Sequence, residues 1–413
     1  MPYFARCSAT LIAASLLAIP AHASEDCTNW QTDTLSGDWS GLRSEWCDKG
    51  ISIALTHKSD LLSNLSGGID KGSVWLMNSE AAIDVDLDKL AGWSGTSAFV
   101  QFHAQHGGDS INKYTGSYAG VSNIETGTST SQFYQAWLQK NSADDALSLL
   151  GGLYAVDSEF YVTESSGLFL QPPYGMSTEL AQTGRNGPPI FPTGALGIRL
   201  RYSMENLYLQ GALTDGVPGD PDNAHGTHIR LDSGDGTFAI AELAYVPQGE
   251  AGTISKTAIG LWRYTTRADD LSETDAQGQP LQRADLGAYI LAERTLFAES
   301  GEQGLSGFVR FGVANKDAYQ SDWSGSAGLN YPGLFEGRND DSAGIAISTS
   351  HASAKYRQLN ASDSHETVIE FTYRAQLQSW LAVQPDLQYV INPNMDPALE
   401  NAWVAGMRVE MVF

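Results

Sequence analysis

From Gly50 to its last residue the chain alternates apolar and polar side chains with a period of two. A strand projects successive side chains to opposite faces, so this period predicts β-structure. In the closing stretch Ala405, Met407, Val409, Met411 and Phe413 share one face, and Gly406, Arg408 and Glu410 the other. In 369–377, Ile369, Phe371, Tyr373, Ala375 and Leu377 oppose Glu370, Thr372, Arg374 and Gln376. In 383–391, Val383, Pro385, Leu387, Tyr389 and Ile391 oppose Gln384, Asp386, Gln388 and Val390. Ile198, Leu200 and Tyr202 oppose Arg199 and Arg201; Leu243 and Tyr245 oppose Glu242; Val309 and Phe311 oppose Arg310. Turn signals separate such stretches at 51–58, 78–86, 96–105, 133–140, 147–154, 196–203, 206–213, 238–245, 256–264, 286–293, 304–313, 325–331, 343–349, 366–377, 381–390 and 402–412. Before them, Leu42, Trp46 and Lys49 recur at helical spacing, with Gly50 as the stop, and predict a short helix within 34–49.

The connections are asymmetric. Links at 141–144, 203–205 and 377–380 are tight, whereas 106–131, 155–195, 214–236, 265–285 and 350–364 read as long loops. Short turns on one side and long loops on the other are the pattern of an outer-membrane barrel. The apolar faces are broad and rich in Tyr and Phe near the strand ends, as a lipid-facing band with aromatic girdles requires. The fold class expected is all-β: a transmembrane, antiparallel, up-and-down barrel of about sixteen strands with a short amino-terminal helix. A soluble β-sandwich also alternates, but it would have to turn the apolar faces inward.

The amino terminus carries an address. Arg6 precedes an apolar run, Ser8 to Ile19, that is too short to span a bilayer, and Ala21-His22-Ala23 fits a cleavage site. The chain then divides into a leader (1–23), a periplasmic segment (24–50) and a barrel (51–413). With 24 basic and 48 acidic residues the net charge is −24. That charge argues against nucleic acid as a partner. Cys27 and Cys47 remain after the leader, in an oxidising compartment, and a disulfide between them is expected.

Several stretches together resemble the carbohydrate-selective porin (OprB) family. They are Leu35-Ser36-Gly37-Asp38-Trp39-Ser40-Gly41-Leu42-Arg43, Asp86 to Gly95, Asp157-Ser158-Glu159-Phe160, Gly197 to Arg201, Gly337 to Asp341, Gln384 to Tyr389 and the closing strand. The resemblance implies a 16-stranded outer-membrane barrel of a Gram-negative bacterium that passes small carbohydrates by diffusion. It also implies no catalysis and no cofactor. One departure is that Leu150 and Leu153 stand where the family tends to carry a basic residue.

A polyol passage needs aromatic faces for sugar C–H groups and charged or amide groups for hydroxyls. The segment 155–195 supplies Asp157, Glu159, Phe160, Phe169, Tyr174, Glu179 and Arg185, and is expected to fold into the lumen as the constriction. Arg199, Arg201, Glu242, Arg310, Glu370, Arg374, Arg408 and Glu410 form the lumen-facing set, and Trp137 shares the inner face of its strand with Gln135 and Gln139. His225, His228, Asp232 and Asp235 have no ordered ligand spacing, so no metal is expected. No catalytic or phosphate-binding motif is present. Further partners expected are outer-membrane lipid and lipopolysaccharide, and assembly machinery reading Phe413; both a monomer and a trimer are compatible with the sequence. The competing readings are a general or anion-preferring porin of the same fold, and a secreted sugar-binding sandwich.

Overall fold

The computed structural model describes residues 29–107, 110–249, 252–299 and 303–413. The expected leader and Cys27 lie outside the described residues; Cys47 is disulfide-bonded. Sixteen strands among the described residues close into one antiparallel barrel, each paired with its chain neighbours and β1 with β16. They are β1 (Ile51–Gly68), β2 (Gly72–Asp86), β3 (Thr96–Gly107), β4 (Ser131–Asn141), β5 (Leu147–Tyr154), β6 (Ala195–Met204), β7 (Leu207–Asp215) and β8 (Thr237–Tyr245). The second half comprises β9 (Ser255–Thr274), β10 (Pro280–Ala298), β11 (Gly304–Val313), β12 (Ser321–Pro332), β13 (Ser342–Ala352), β14 (His365–Gln378), β15 (Leu381–Ile391) and β16 (Glu400–Val412). Two short helices matter below: α1 (Leu42–Asp48), inside the window predicted for a helix, and α2 (Ala354–Asn360).

The alternation resolves as lipid outside and polar groups inside. Leu61, Ile198, Leu200, Ile259, Leu261, Val309, Ile345 and Met407 are exposed on the outer face. Gln135, Arg199, Glu242, Arg310, Glu370, Gln388 and Arg408 are buried on the inner one. That is the inverse of a soluble sandwich, and it meets the bilayer's demand that every backbone group be satisfied within the wall. Aromatic side chains gather at the rims, with Trp75, Phe133 and Trp403 toward the long-loop end and Tyr202, Tyr245 and Phe297 toward the short-turn end.

The segment 265–285 is not a loop. β9 and β10 run on as a ladder and turn at 275–279. The charged residues there hid the strand, because a hairpin that has left the hydrocarbon no longer needs an apolar face. Arg283 pairs with Asp270 (2.5 Å) and Glu273 (3.0 Å) across the hairpin. β1 and β2 likewise run past the predicted 51–58 and 78–86, so Asp60 and Asn64 belong to the inner wall.

The amino-terminal segment covers the seam where β16 meets β1. Arg43 is held between the rings of Trp30 and Trp39, 4.3 and 4.4 Å from their centroids. Its Nη2 donates to the main-chain oxygens of Ile53 and Phe413, both at 2.8 Å. Leu35 N–H donates to Val412. The Leu35–Arg43 motif thus ties the start of the barrel to its end.

Outside the mouth, α2 docks on the β9–β10 hairpin through Lys355, which pairs with Asp270 (2.6 Å), Glu273 (2.8 Å) and Asp317 (3.1 Å). Burial works against the ammonium, but these hydrogen bonds outweigh it and raise its pKa above the ordinary lysine value. A raised pKa contributes stability that is complete below the unfolded value, about 10.4, and is lost as pH rises through the folded one. Chymotrypsin cleavage at Tyr356 should therefore stay slow from about pH 6 to 10, and Lys355→Met should accelerate it throughout. On the lipid face, Val409→Arg should cost about 2–4 kcal/mol or block assembly, read by denaturant titration in phospholipid vesicles and heat-modifiable gel mobility.

Candidate functional site: a lumen framed by two inserted segments

The segment between β5 and β6 enters the barrel, as the sequence predicted, and hydrogen bonds from the wall hold its main chain there. Irregular backbone inside a barrel needs partners for each N–H and C=O. Glu242 on β8 accepts from Tyr161 N (3.0 Å). Glu293 on β10 accepts from Ser165 N and Oγ (3.0 Å each). Glu370 on β14 accepts from Leu170 N (2.6 Å) and Gln171 N (3.1 Å). Arg310 on β11, 1 % exposed, donates to the carbonyls of Tyr161 (2.9 Å), Pro173 (3.2 Å), Tyr174 and Gly175 (2.6 Å). The turn Pro172–Tyr174 begins with two prolines, which present carbonyls without adding donors. Tyr161 adopts φ 63°, and its position is over-determined by Glu242, by Arg310 over its ring and by stacking on Tyr289 at 3.9 Å. Two wall glycines make room: a Cβ at Gly312 would strike Glu179, and one at Gly344 would strike Leu168 and Phe169.

The segment between β3 and β4 also enters, which the sequence reading did not foresee. Glu366 on β14 accepts from Tyr118 N (2.8 Å), Ala119 N (2.9 Å) and Ser117 Oγ (2.8 Å). Arg408 on β16 grips Asp60 on β1 through two hydrogen bonds (2.7 and 2.8 Å) and also donates to Asn123 (2.8 Å). Asn123 N donates to Leu170 O (2.7 Å), so the two inserted segments brace each other.

The expected residues therefore divide. Glu242, Arg310 and Glu370 anchor backbone instead of facing open space, and Arg408 is committed to the side chains of Asp60 and Asn123. Asp157 accepts from Tyr134 OH (2.5 Å) and Phe191 N (2.9 Å), and Glu159 pairs with Arg199 at 2.8 Å. Phe160 is buried in a cluster with Leu150 and Tyr154, while Phe169 and Tyr174 pack on Phe308. Glu179 bonds Tyr161 and Ser324. Arg185 is not brought to the others; it is largely exposed and reaches Asp235 at 3.4 Å. Arg201 lies over the Tyr208 ring at 4.0 Å, and Arg374 pairs with Glu410 at 3.3 Å.

Tyr134 and His103 meet the inserted segment at Asp157 and Phe191, but toward the short-turn end the same wall stays clear of these anchors. On β1 to β4 a single register row carries Ser52, Asp84, Phe99 and Trp137 side by side. Phe99 and Trp137 are stacked at 5.2 Å. Gly152 and Gly197 continue the row without side chains. The next inner row holds Ala54, Ala82, Gln101 and Gln135, and beyond it stand Glu80 and His103. Gln135 donates to Gln101 (3.2 Å), and Gln101 donates to Glu80 (3.2 Å). Asp84 Oδ1, Trp137 Nε1, Gln135 Oε1 and His103 Nε2 have no protein partner. Glu80, Asp84, Phe99 and Gln101 were missed; all stand on the polar or inner face of predicted strands, but only their cross-strand register assembles them.

Comparison with known proteins agrees with this geometry. The sequence model of the carbohydrate-selective porin, OprB family, matches residues 77–413. The chain belongs to that family. It is an outer-membrane porin for carbohydrates in a Gram-negative bacterium. Porin B of Pseudomonas aeruginosa is 24 % identical, over 96 % of this chain and 95 % of its own. The high-pH structure of Pseudomonas putida OprB superposes with a TM-score of 0.84 at 21 % identity, covering 94 % of this chain and all of that one. The low-pH structure of the same protein gives 0.59 at 19 % identity, covering 93 % and 99 %.

The anchors make a specific demand. Glu370→Ala leaves the Leu170 and Gln171 N–H groups unpaired, at about 1–3 kcal/mol each. The inserted segment should loosen, raising single-channel conductance and its noise in planar bilayers while the barrel keeps its heat-modifiable mobility.

Proposed function

We propose that small neutral sugars diffuse passively, down their own gradient, along the β1–β4 wall, opposite the anchored face of the 155–194 segment. The observation that carries this reading is the row Asp84, Phe99 and Trp137. An aromatic face meets sugar C–H groups, while beside it Asp84 Oδ1 and the Trp137 indole N–H, both without a protein partner, suit hydroxyls. Gln101, Gln135 and Glu80 extend the same polar surface by one and two rows.

Charge balance supports a neutral solute over an anion-preferring channel. Basic side chains on the inner wall stand beside acids: Lys58 near Glu80, Arg374 with Glu410, Arg199 with Glu159, Arg408 with Asp60. No cluster of unpaired arginines forms among the described residues of that set. Leu150 and Leu153 add apolar packing in place of positive charge. In this reading the chain catalyses nothing and carries no cofactor. Phe413 is offered to the assembly machinery before Arg43 closes over it, and the leader 1–23 is removed.

Liposome swelling tests the reading. Trp137→Ala and Asp84→Asn should slow entry of a neutral monosaccharide several-fold while salt conductance changes less than about twofold, since flux depends on lining groups and bulk conductance on width. Equal slowing of a sugar acid and a neutral sugar, or no slowing at all, would contradict it.

A further inference from the structure

The outer surface of a barrel is convex, yet across β8 to β14 a groove of about 1070 Å³ is sunk into it. Its floor is small: Ala292, Gly307 and Ala327 face outward near the short-turn ends of β10, β11 and β12. Ala292 neighbours Val309, which neighbours Ala327, so the low points lie in adjoining strands. Leu296, Leu329 and Ile345 form the rim. A Cβ at Gly307 would come within 3.2 Å of both Leu296 and Leu329, so these side chains lean over the glycine.

Arg294 also lines this groove. It is exposed, faces outward, and makes no ion pair among the described residues. A cation on a lipid-facing wall is costly unless an anion meets it. Arg294 sits four residues before the periplasmic end of β10 at Ala298, the level where the phosphates of that leaflet lie. At the other edge of the apolar band, Arg263 is exposed on β9, with Thr257, Ile259 and Leu261 between the two levels.

We propose that this groove is a binding site for one glycerophospholipid of the periplasmic leaflet, its phosphate on Arg294 and an acyl chain lying over Gly307 and Ala327. Charge complementarity selects the headgroup, since an unpaired guanidinium matches a phosphate. Shape selects the chain. The volume reaches the upper end of ligand pockets, about 300–1000 Å³, and a flexible acyl chain fills a concavity that the convex wall of a second barrel would bridge and leave empty.

Native mass spectrometry in mixed micelles of mild detergent and 1-palmitoyl-2-oleoyl-phosphatidylglycerol tests the site. The wild-type barrel should retain one lipid. Arg294→Ala should lower retention about fivefold, and Ala327→Trp, which fills the floor, should lower it comparably. Arg263→Ala should leave it unchanged. Heat-modifiable migration verifies that each variant is folded. Equal retention in wild type and Arg294→Ala would overturn the proposal. So would an oligomer that carries no lipid and that Ala327→Trp dissociates, because the occupant would then be a second copy of the chain.

Discussion

Hydrogen bonds between wall side chains and the main chain of the inserted segments determine what this barrel is. A sixteen-stranded cylinder alone would enclose a wide aqueous lumen. Irregular backbone can narrow it only if the wall supplies acceptors and donors deep inside. Glu242, Glu293, Glu366 and Glu370 supply acceptors, and Arg310 supplies donors to four carbonyls. These side chains hold fixed positions on rigid strands. The two segments therefore form a wall rather than a flap, and the channel's cross-section is set by the folded state.

The same economy explains where specificity can reside. Most inner charges are committed to positioning, and the surface we propose for a solute lies on β1 to β4. There the groups are an aromatic pair, two amides and two carboxylates, with Lys58 beside one of the carboxylates. Such a surface matches ring faces and hydroxyls and offers an anion little. On that proposal, selectivity comes from a few side chains on one wall, and the opposite wall sets the distance.

The fold was largely legible in the chain. Period-two alternation, one-sided loop lengths and the closing strand marked every strand, because lipid on one face and water on the other impose that period. Two errors have physical causes. At 265–285 the strands leave the membrane, lose the apolar face and look like loop. In 59–64 the adjacent Leu61 and Leu62, one outward and one buried inward, break the alternation, which hid Asp60. The site was less legible. Arg310, Glu242 and Glu370 were visible as inward charges, but partners far away in sequence turned them from pore lining into anchors. Phe99 and Asp84 gain meaning only from a register row, which no single strand reveals. Arg185 was grouped with its segment, yet it lies beyond the inserted part.

Thiol accessibility separates the open wall from the anchored one most directly. Ala82 on β2 and Ala346 on β13 both face inward; Ala82 is half-buried, beside Gln101, and Ala346 is 2 % exposed beneath Phe169. Each is replaced by cysteine, and a charged methanethiosulfonate reagent is added during planar-bilayer recording. The account predicts that Ala82→Cys reacts, lowers conductance and is protected by added sugar, while Ala346→Cys stays inert. Rapid block through Ala346→Cys with a silent Ala82→Cys would contradict it.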